Sequence, residues 1–351
     1  MRKRYKKNNV LIAGIGGASL GTEILKSLKL AGRYNIFGAD ISPYAYGLYD
    51  DGLTKAYVVR REKYIQDILE ICKKEEIDAV IPGGEEPLLL LNQNRDLFEK
   101  NNILLAMNSA EVIELCTDKI KTFEYLEKNG FPVPSTKLVE NPDDLKNFHY
   151  PCIVKPSTGS GGSVFVYLAE DEKEALFFVN YLRKINLKAI VQEYIPPEEG
   201  EYTVGVLHLP NGELVGSIAL KRLFHAKLSV LVKIKDKIIS SGYSQGLIDD
   251  FEQIREQAEK IAEALNSRGP MNIQGRLKNG IFYPFEINPR FSATTYLRAM
   301  AGFNEVDIFL QFLFTGKKII PKKIKYGYYF RSLEEKFVGI KKLKIYDLDK
   351  K

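Results

Sequence analysis

The chain has 351 residues, 45% hydrophobic and 27% charged, with no tryptophan and a formal net charge of +6, which is the composition of a globular protein of two or three domains. No apolar run reaches the roughly 20 residues that span a bilayer, and the basic start from Arg2 to Lys7 lacks the apolar stretch and cleavage site of a secretion signal. Three widely spaced cysteines, Cys72, Cys116 and Cys152, read as reduced thiols of a cytoplasmic protein, and the basic clusters at 317–325 and from Lys341 read as solvated ends, so neither nucleic acid nor a membrane is an expected partner.

Taken in chain order, residues 9–14 form a buried strand, the turn Gly14-Ile15-Gly16-Gly17 follows, and a helix runs from about Ser19 to Leu30. A strand at 35–40 ends in Asp40, and helix 62–74, strand 79–82, helix 86–99 and strand 103–106 complete the series. This alternation predicts βαβ units around a parallel sheet, in a first domain closing near residue 107. The glycine turn invites a dinucleotide fingerprint, but its third position holds Ser19, the nearest glycine is Gly21, and Asp40 comes late for a ribose acid. We read it as a packing turn, with an NAD(P)-dependent oxidoreductase as the rival reading.

Beyond it, Asn108 to Glu111 resembles a helix N-cap, and a second helix opens at Thr117-Asp118 and stops at Gly130 to Pro134. The pattern then changes to paired short strands at 151–155, 163–168, 190–194, 202–208 and 214–219, a helix at 250–266 and a hairpin over 271–288. We therefore expect domains at 1–107, 108–190 and 191–320, with a tail at 321–351.

Four segments carry chemistry. Lys119 stands in the first turn of a helix, where a cation opposes the helix dipole unless an anion is bound. Lys155 is delivered by a strand into a loop whose glycines let successive N–H groups face one anion. Val191 to Ile195 leave a strand, where exposed backbone groups can pair with an adenine edge and a following acid can accept from ribose hydroxyls. In Phe285-Glu286-Ile287-Asn288-Pro289-Arg290 an acid, an amide and a guanidinium alternate and share one strand face, which suits a hard cation beside a phosphate or carboxylate.

In this order the segments resemble the ATP-grasp ligases, most closely their carbamoyl-phosphate-synthase-like branch, over roughly residues 9–316. The resemblance implies an α/β architecture: a Rossmann-like parallel-sheet domain, then an α+β ATP-grasp fold whose lid subdomain is 108–190 and whose metal-bearing subdomain is 191–320. It implies ATP with Mg²⁺, or Mn²⁺ in its place. Lys119 and Lys155 would hold the α- and β-phosphates, and Gly159, Ser160, Gly161, Gly162 and Ser163 would form the loop over them. Gln192, Glu193, Tyr194 and Ile195 would make the adenine hinge, and Glu201 or Glu199 would take the ribose. Gln274, Glu286 and Asn288 would ligate the metal, Arg290 with Lys155 would serve catalysis at the acyl phosphate, and Arg222 with Arg290 would face the substrate. The implied activity is ATP-dependent joining of a small carboxylic acid to an amine, on an amino acid or small peptide, with ADP and phosphate released. A non-catalytic ATP-binding regulator is the second rival, and a homodimer stays open as the assembly.

The hairpin supplies a geometric expectation. A strict two-residue turn at Asn279-Gly280 would pair Gln274 with Phe285 and turn it away from Glu286, so joint ligation requires a bulge or a longer loop.

Overall fold

The computed structural model describes residues 7–17, 20–159, 164–225, 227–234 and 236–343. They fall into two compact units: Met1–Asn108 with Arg290–Lys325 and Arg331–Lys351, and Ser109–Pro289 with Tyr326–Phe330.

The first unit opens with β1 (Asn8–Ala13), α1 (Leu20–Ala31), β2 (Tyr34–Asp40), β3 (Lys55–Val58), α2 (Tyr64–Lys74), β4 (Ala79–Pro82), α3 (Glu85–Gln93), α4 (Arg95–Glu99) and β5 (Leu104–Leu105). Val10 to Ala13 and Ala79 to Ile81 are fully buried, the continuous apolar run of a strand covered on both faces. The strands pair in parallel in the order β3-β2-β1-β4-β5. The chain winds outward from β1 to β3, then crosses back through α2 to β4, so the topology switches between β1 and β4. The expected helix 86–99 is broken into α3 and α4 at Asn94, and β3 carries too little alternation to be legible in the sequence.

The second unit begins with α5 (Ala110–Thr117) and α6 (Lys119–Lys128). Next come β6 (Thr136–Leu138), β7 (Cys152–Pro156), β8 (Tyr167–Ala169), α7 (Glu172–Lys184) and β9 (Ala189–Glu193). Its four short strands pair antiparallel as β6-β9-β7-β8, with the buried face of α7 against them. The strand expected to start at 163 starts at Tyr167, and α7 was not anticipated, although Asp171 caps Glu174 N–H at 2.9 Å and Glu174 caps Glu170 N–H at 2.8 Å.

The larger sheet is built from β10 (Glu201–His208), β11 (Leu214–Arg222), β14 (Gly246–Ile248), β15 (Pro270–Lys278), β16 (Ile281–Asn288) and β17 (Gly327–Tyr329), with the ribbon β12 (Val230–Ile234) and β13 (Lys237–Ser240) between β11 and β14 in the chain. Its order is β16-β15-β10-β11-β14-β17, and α8 (Glu252–Ala264) buries Ile254, Ala258 and Ile261 against it.

Two expected boundaries change. Residues after Pro289 return to the first unit, where α9 (Thr295–Met300) and α10 (Glu305–Thr315) pack on α1, so the expected 191–320 segment is divided there. The expected tail is also divided, because β17 adds to the edge of the larger sheet in the second unit. The cysteines Cys72, Cys116 and Cys152 are free and buried, and burial pushes each thiol up to about 12. No helix among the described residues is long and apolar enough to cross a membrane.

Candidate functional site

The candidate site lies within the second unit and starts from the β15–β16 hairpin. Asn279 and Gly280 form a two-residue turn with φ of +54° and +71°, the left-handed pair that fits such a hairpin. The ladder is regular from Lys278↔Ile281 to Gly275↔Pro284; a bulge then sets Gln274 opposite Glu286. The expected irregularity is therefore present, and Phe285 is the extra residue. Gln274 Nε2 donates to Glu286 Oε2 at 2.8 Å, so the two side chains share one face. Asn288 lies two residues along the same strand, buried and opposite Asn272.

The bulge has a second consequence: Phe285, unpaired in the ladder, turns its carbonyl to another partner. Lys155 Nζ donates to that carbonyl and to Gln192 Oε1, both at 2.8 Å, while Gln192 Nε2 donates to Thr136 Oγ1 at 2.9 Å. Lys155 is 5% exposed. Burial and the nearby cation of Lys119 push its pKa down to about 7, opposed by the carboxylate of Glu286. Lys119 is held at N1 of α6, where its N–H donates to Ser157 O at 3.0 Å and Asp118 caps Ile120 N–H at 3.1 Å. Lys119, Lys155, Gln192, Gln274, Phe285 and Glu286 line one cavity, together with the expected hinge from Glu193 to Ile195.

The hinge side chains are braced. Glu193 accepts from Lys278 Nζ at 2.8 Å, and the hydroxyl of Tyr194 accepts from Ile238 N–H at 2.8 Å. The carbonyl of Ile195 accepts from Arg276 Nη1 at 2.6 Å. Ile238, Ile239 and Ser240 of the β12–β13 ribbon complete the cavity wall, with Arg276.

Three expected contacts are overturned. Glu201 is fully buried between Arg276 at 2.7 Å and Arg222 at 3.1 Å, so its carboxylate is committed to two guanidiniums rather than to ribose. Burial alone would raise its pKa, but Arg276 and Arg222 hold it below the ordinary carboxylate range. Glu199 is equally engaged, accepting from Asn279 N–H at 2.7 Å and Gly280 N–H at 3.0 Å and so fastening the hairpin turn. Arg222 is 4% exposed and spends its guanidinium on Glu201 and on Ser241 O at 2.7 Å, which makes it a strut of the ribbon and not a substrate contact. Arg276 was missed because nothing at its own position distinguishes it; its partners lie 38 to 81 residues away in the chain.

Arg290 is the first residue of the returning segment in the first unit, and its Nη1 donates to Phe291 O at 2.9 Å. Ser160 to Ser163 lie outside the described residues; Gly159 is described, with φ of +70°.

The glycine turn after β1 has the packing role expected. A Cβ at Gly21 would stand 2.4 Å from Ile15 O, so this glycine lets α1 start against the strand end. The carboxylate of Asp40 accepts from Gly16 N–H at 2.7 Å and Ser42 N–H at 2.9 Å.

Chemically, the hairpin offers one carboxylate and two amide oxygens. Among the described residues no cluster of three or more His, Cys, Asp or Glu side chains stands together. The set fits a hard cation that takes its remaining oxygens from a ligand, once the amide of Gln274 turns its oxygen toward Glu286's side of the cavity. Two lysines opposite favour that ligand being a polyphosphate.

Comparison with known proteins agrees with this chemistry. A model of the ATP-grasp domain matches residues 116–294, and a model of the PylC-like N-terminal domain matches residues 10–106. The carbamoyl phosphate synthase large chain of Clostridium beijerinckii is 27% identical over 271 residues, covering 75% of this chain and 24% of its own length. The chain thus spans about a quarter of that relative. Among solved structures, the L-amino acid ligase from Bacillus licheniformis superposes with a TM-score of 0.64 at 18% identity, covering 92% of this chain and 76% of that one. The D-alanine–D-alanine ligase from Bacillus anthracis, complexed with ATP, gives 0.59 at 15%, covering 88% and 97%. At these identities the likeness is one of fold.

Proposed function

The chain belongs to the ATP-grasp family, and from that premise we propose that it is an ATP-dependent carboxylate–amine ligase working through an acyl phosphate. The observation that carries the reading is the single cavity in which Lys119 and Lys155 face the bulged pair Gln274 and Glu286. In this reading the lysines take the polyphosphate, the backbone from Glu193 to Ile195 takes the adenine edge, and Gln274, Glu286 and Asn288 hold Mg²⁺. The metal supplies charge screening; the protein supplies position, which is most of what phosphoryl transfer asks of it. An oxygen of the acid attacks the γ-phosphorus, the bond to the β–γ bridging oxygen breaks, and ADP departs. The amine then attacks the acyl carbon, phosphate leaves, and the nitrogen gives up a proton. We assign Arg290 to the acyl phosphate from its place two residues beyond Asn288 in the sequence, and an amino acid or small peptide as the acid.

Phosphate release from ATP and Mg²⁺, measured over a panel of amino acids and dipeptides, tests the reading. Release should require an acid–amine pair and match amide formed, and an oxygen-labelled carboxylate should pass its label to the phosphate. ATP binding with no release for any pair would leave the non-catalytic regulator as the better account.

A further inference from the structure

A second cavity lies wholly within the first unit, at the carboxyl ends of β1, β2 and β4. Its volume is about 220 Å³, and its wall includes Gly14, Asp40, Arg61, Tyr64, Gly83 and Glu86. This is the topological switch of the parallel sheet, the place where open α/β sheets leave a crevice. The floor is formed by backbone in unusually close approach: a Cβ at Gly83 would stand 2.1 Å from Gly14 O, and one at Gly14 2.7 Å from the Pro87 ring.

The polar wall is unbalanced. Tyr64 is 6% exposed, lines the cavity, and its hydroxyl has no hydrogen-bond partner among the described residues. A buried hydroxyl without a partner costs stability, so its retention beside an open space marks a group awaiting a ligand. Beyond burial, the carboxylates of Asp40 and Glu86 disfavour its ionisation, so the hydroxyl sits in a field of negative sign. Glu86 is offset by Arg61, whose Nη1 donates to it at 2.6 Å at the exposed rim. Asp40 accepts two backbone N–H bonds and has no cation against it among the contacts of the described residues, while each of its oxygens keeps a second lone pair.

From this wall we propose that the first unit binds a small primary ammonium compound, such as an amino acid or a diamine, with its ammonium between Asp40, Glu86 and the hydroxyl of Tyr64. A cation suits this wall better than an anion, since it carries the carboxylates of Asp40 and Glu86 against the one guanidinium of Arg61. The inference concerns binding and stands apart from whatever reaction the second unit performs.

Calorimetric titration of the full chain, without nucleotide, tests it with L-lysine, putrescine and acetate as probes. Lysine or putrescine should bind saturably and acetate should not; binding of putrescine as well as lysine marks the ammonium alone as the determinant, and binding of lysine alone adds the carboxylate end. Tyr64→Phe and Glu86→Gln should each weaken the bound probe roughly ten-fold, as expected for losing a hydrogen bond or ion contact to a charged group. Tyr64→Phe removes a hydroxyl with no partner, so its melting temperature should equal or exceed that of the parent, which separates ligand loss from misfolding. Lys155→Ala, in the other unit, should leave probe binding intact while abolishing ATP-driven turnover. Failure of both ammonium probes to bind, or binding unchanged in both Tyr64→Phe and Glu86→Gln, would overturn the proposal, whatever becomes of the ligase reading.

Discussion

Lys155 gives the sharpest test of the nucleotide site. The residue is 5% exposed, its ammonium is anchored by two neutral acceptors and shares its cavity with Lys119, and its pKa is pushed down to about 7. At pH 8 the empty site should therefore hold Lys155 about nine-tenths neutral. A polyphosphate beside it favours the charged form and lifts the pKa again, so ATP binding at pH 8 should take up close to one proton. The linked affinity follows the same sign: the Kd for ATP should be nearly flat below pH 7 and should rise toward roughly ten-fold per pH unit above it, until the pKa of the bound state is reached. Titration calorimetry at pH 8 in buffers of different ionisation enthalpy measures the uptake directly. Lys155→Met provides the reference, because the protonation of ATP itself is common to both proteins and cancels. A proton uptake equal in the parent and Lys155→Met, with parallel Kd profiles from pH 6.5 to pH 9, would refute the argument that this buried lysine meets the phosphates.

Three further outcomes follow from the geometry. Glu286→Ala should abolish turnover while circular dichroism and melting stay near the parent, since Glu286 is only half-buried; retained turnover would remove it from the metal set. Glu201→Gln leaves two buried guanidiniums facing a neutral amide and should cost roughly 3–5 kcal/mol in urea unfolding. Because Glu201 titrates below the ordinary carboxylate range, this contribution is present above that range and is lost as pH falls through the folded value, so the two proteins should converge in acid. Deleting Phe285 should keep Gln274 opposite Glu286, because the bulge residue alone is removed, yet should weaken ATP roughly ten-fold or more as Lys155 loses a charged hydrogen bond; undiminished affinity would show that the carbonyl does not hold the lysine.

Much of this was legible in the sequence, for physical reasons that differ between residues. The parallel sheet was readable because β1 and β4 are buried on both faces and so written as unbroken apolar runs. The need for a bulge was readable because side-chain parity in a hairpin is fixed by the turn, and Asn279-Gly280 specifies a two-residue turn. The fates of Glu201, Glu199 and Arg222 were not readable. Each stands where an acid or guanidinium would meet a ligand, and nothing local reports that Arg276, 75 residues from Glu201, has claimed that carboxylate. Likewise α9 and α10 follow the metal strand without a break in the chain, and only their packing on α1 shows that they belong to the first unit.

The sites that escaped sequence reading share one property: their charged groups find their partners within the protein. Glu201 is shared between Arg222 and Arg276, and the three tie the ribbon at Ile238 and Ser241 to the hinge at Ile195. Buried ion networks of this kind add little net stability but penalise every arrangement that separates them, so the triad fixes where the ribbon stands over the cavity. The two lysines of the cavity are then the informative ones. Lys119, Lys155 and Arg276 share the cavity wall with the carboxylates of Glu286 and Glu193, the latter also held by Lys278, and a Mg²⁺ would add to the positive charge. A ligand carrying several negative charges suits such a wall, and this charge pattern, beside the motifs, is the ground on which we propose a nucleoside polyphosphate next to the bulged hairpin.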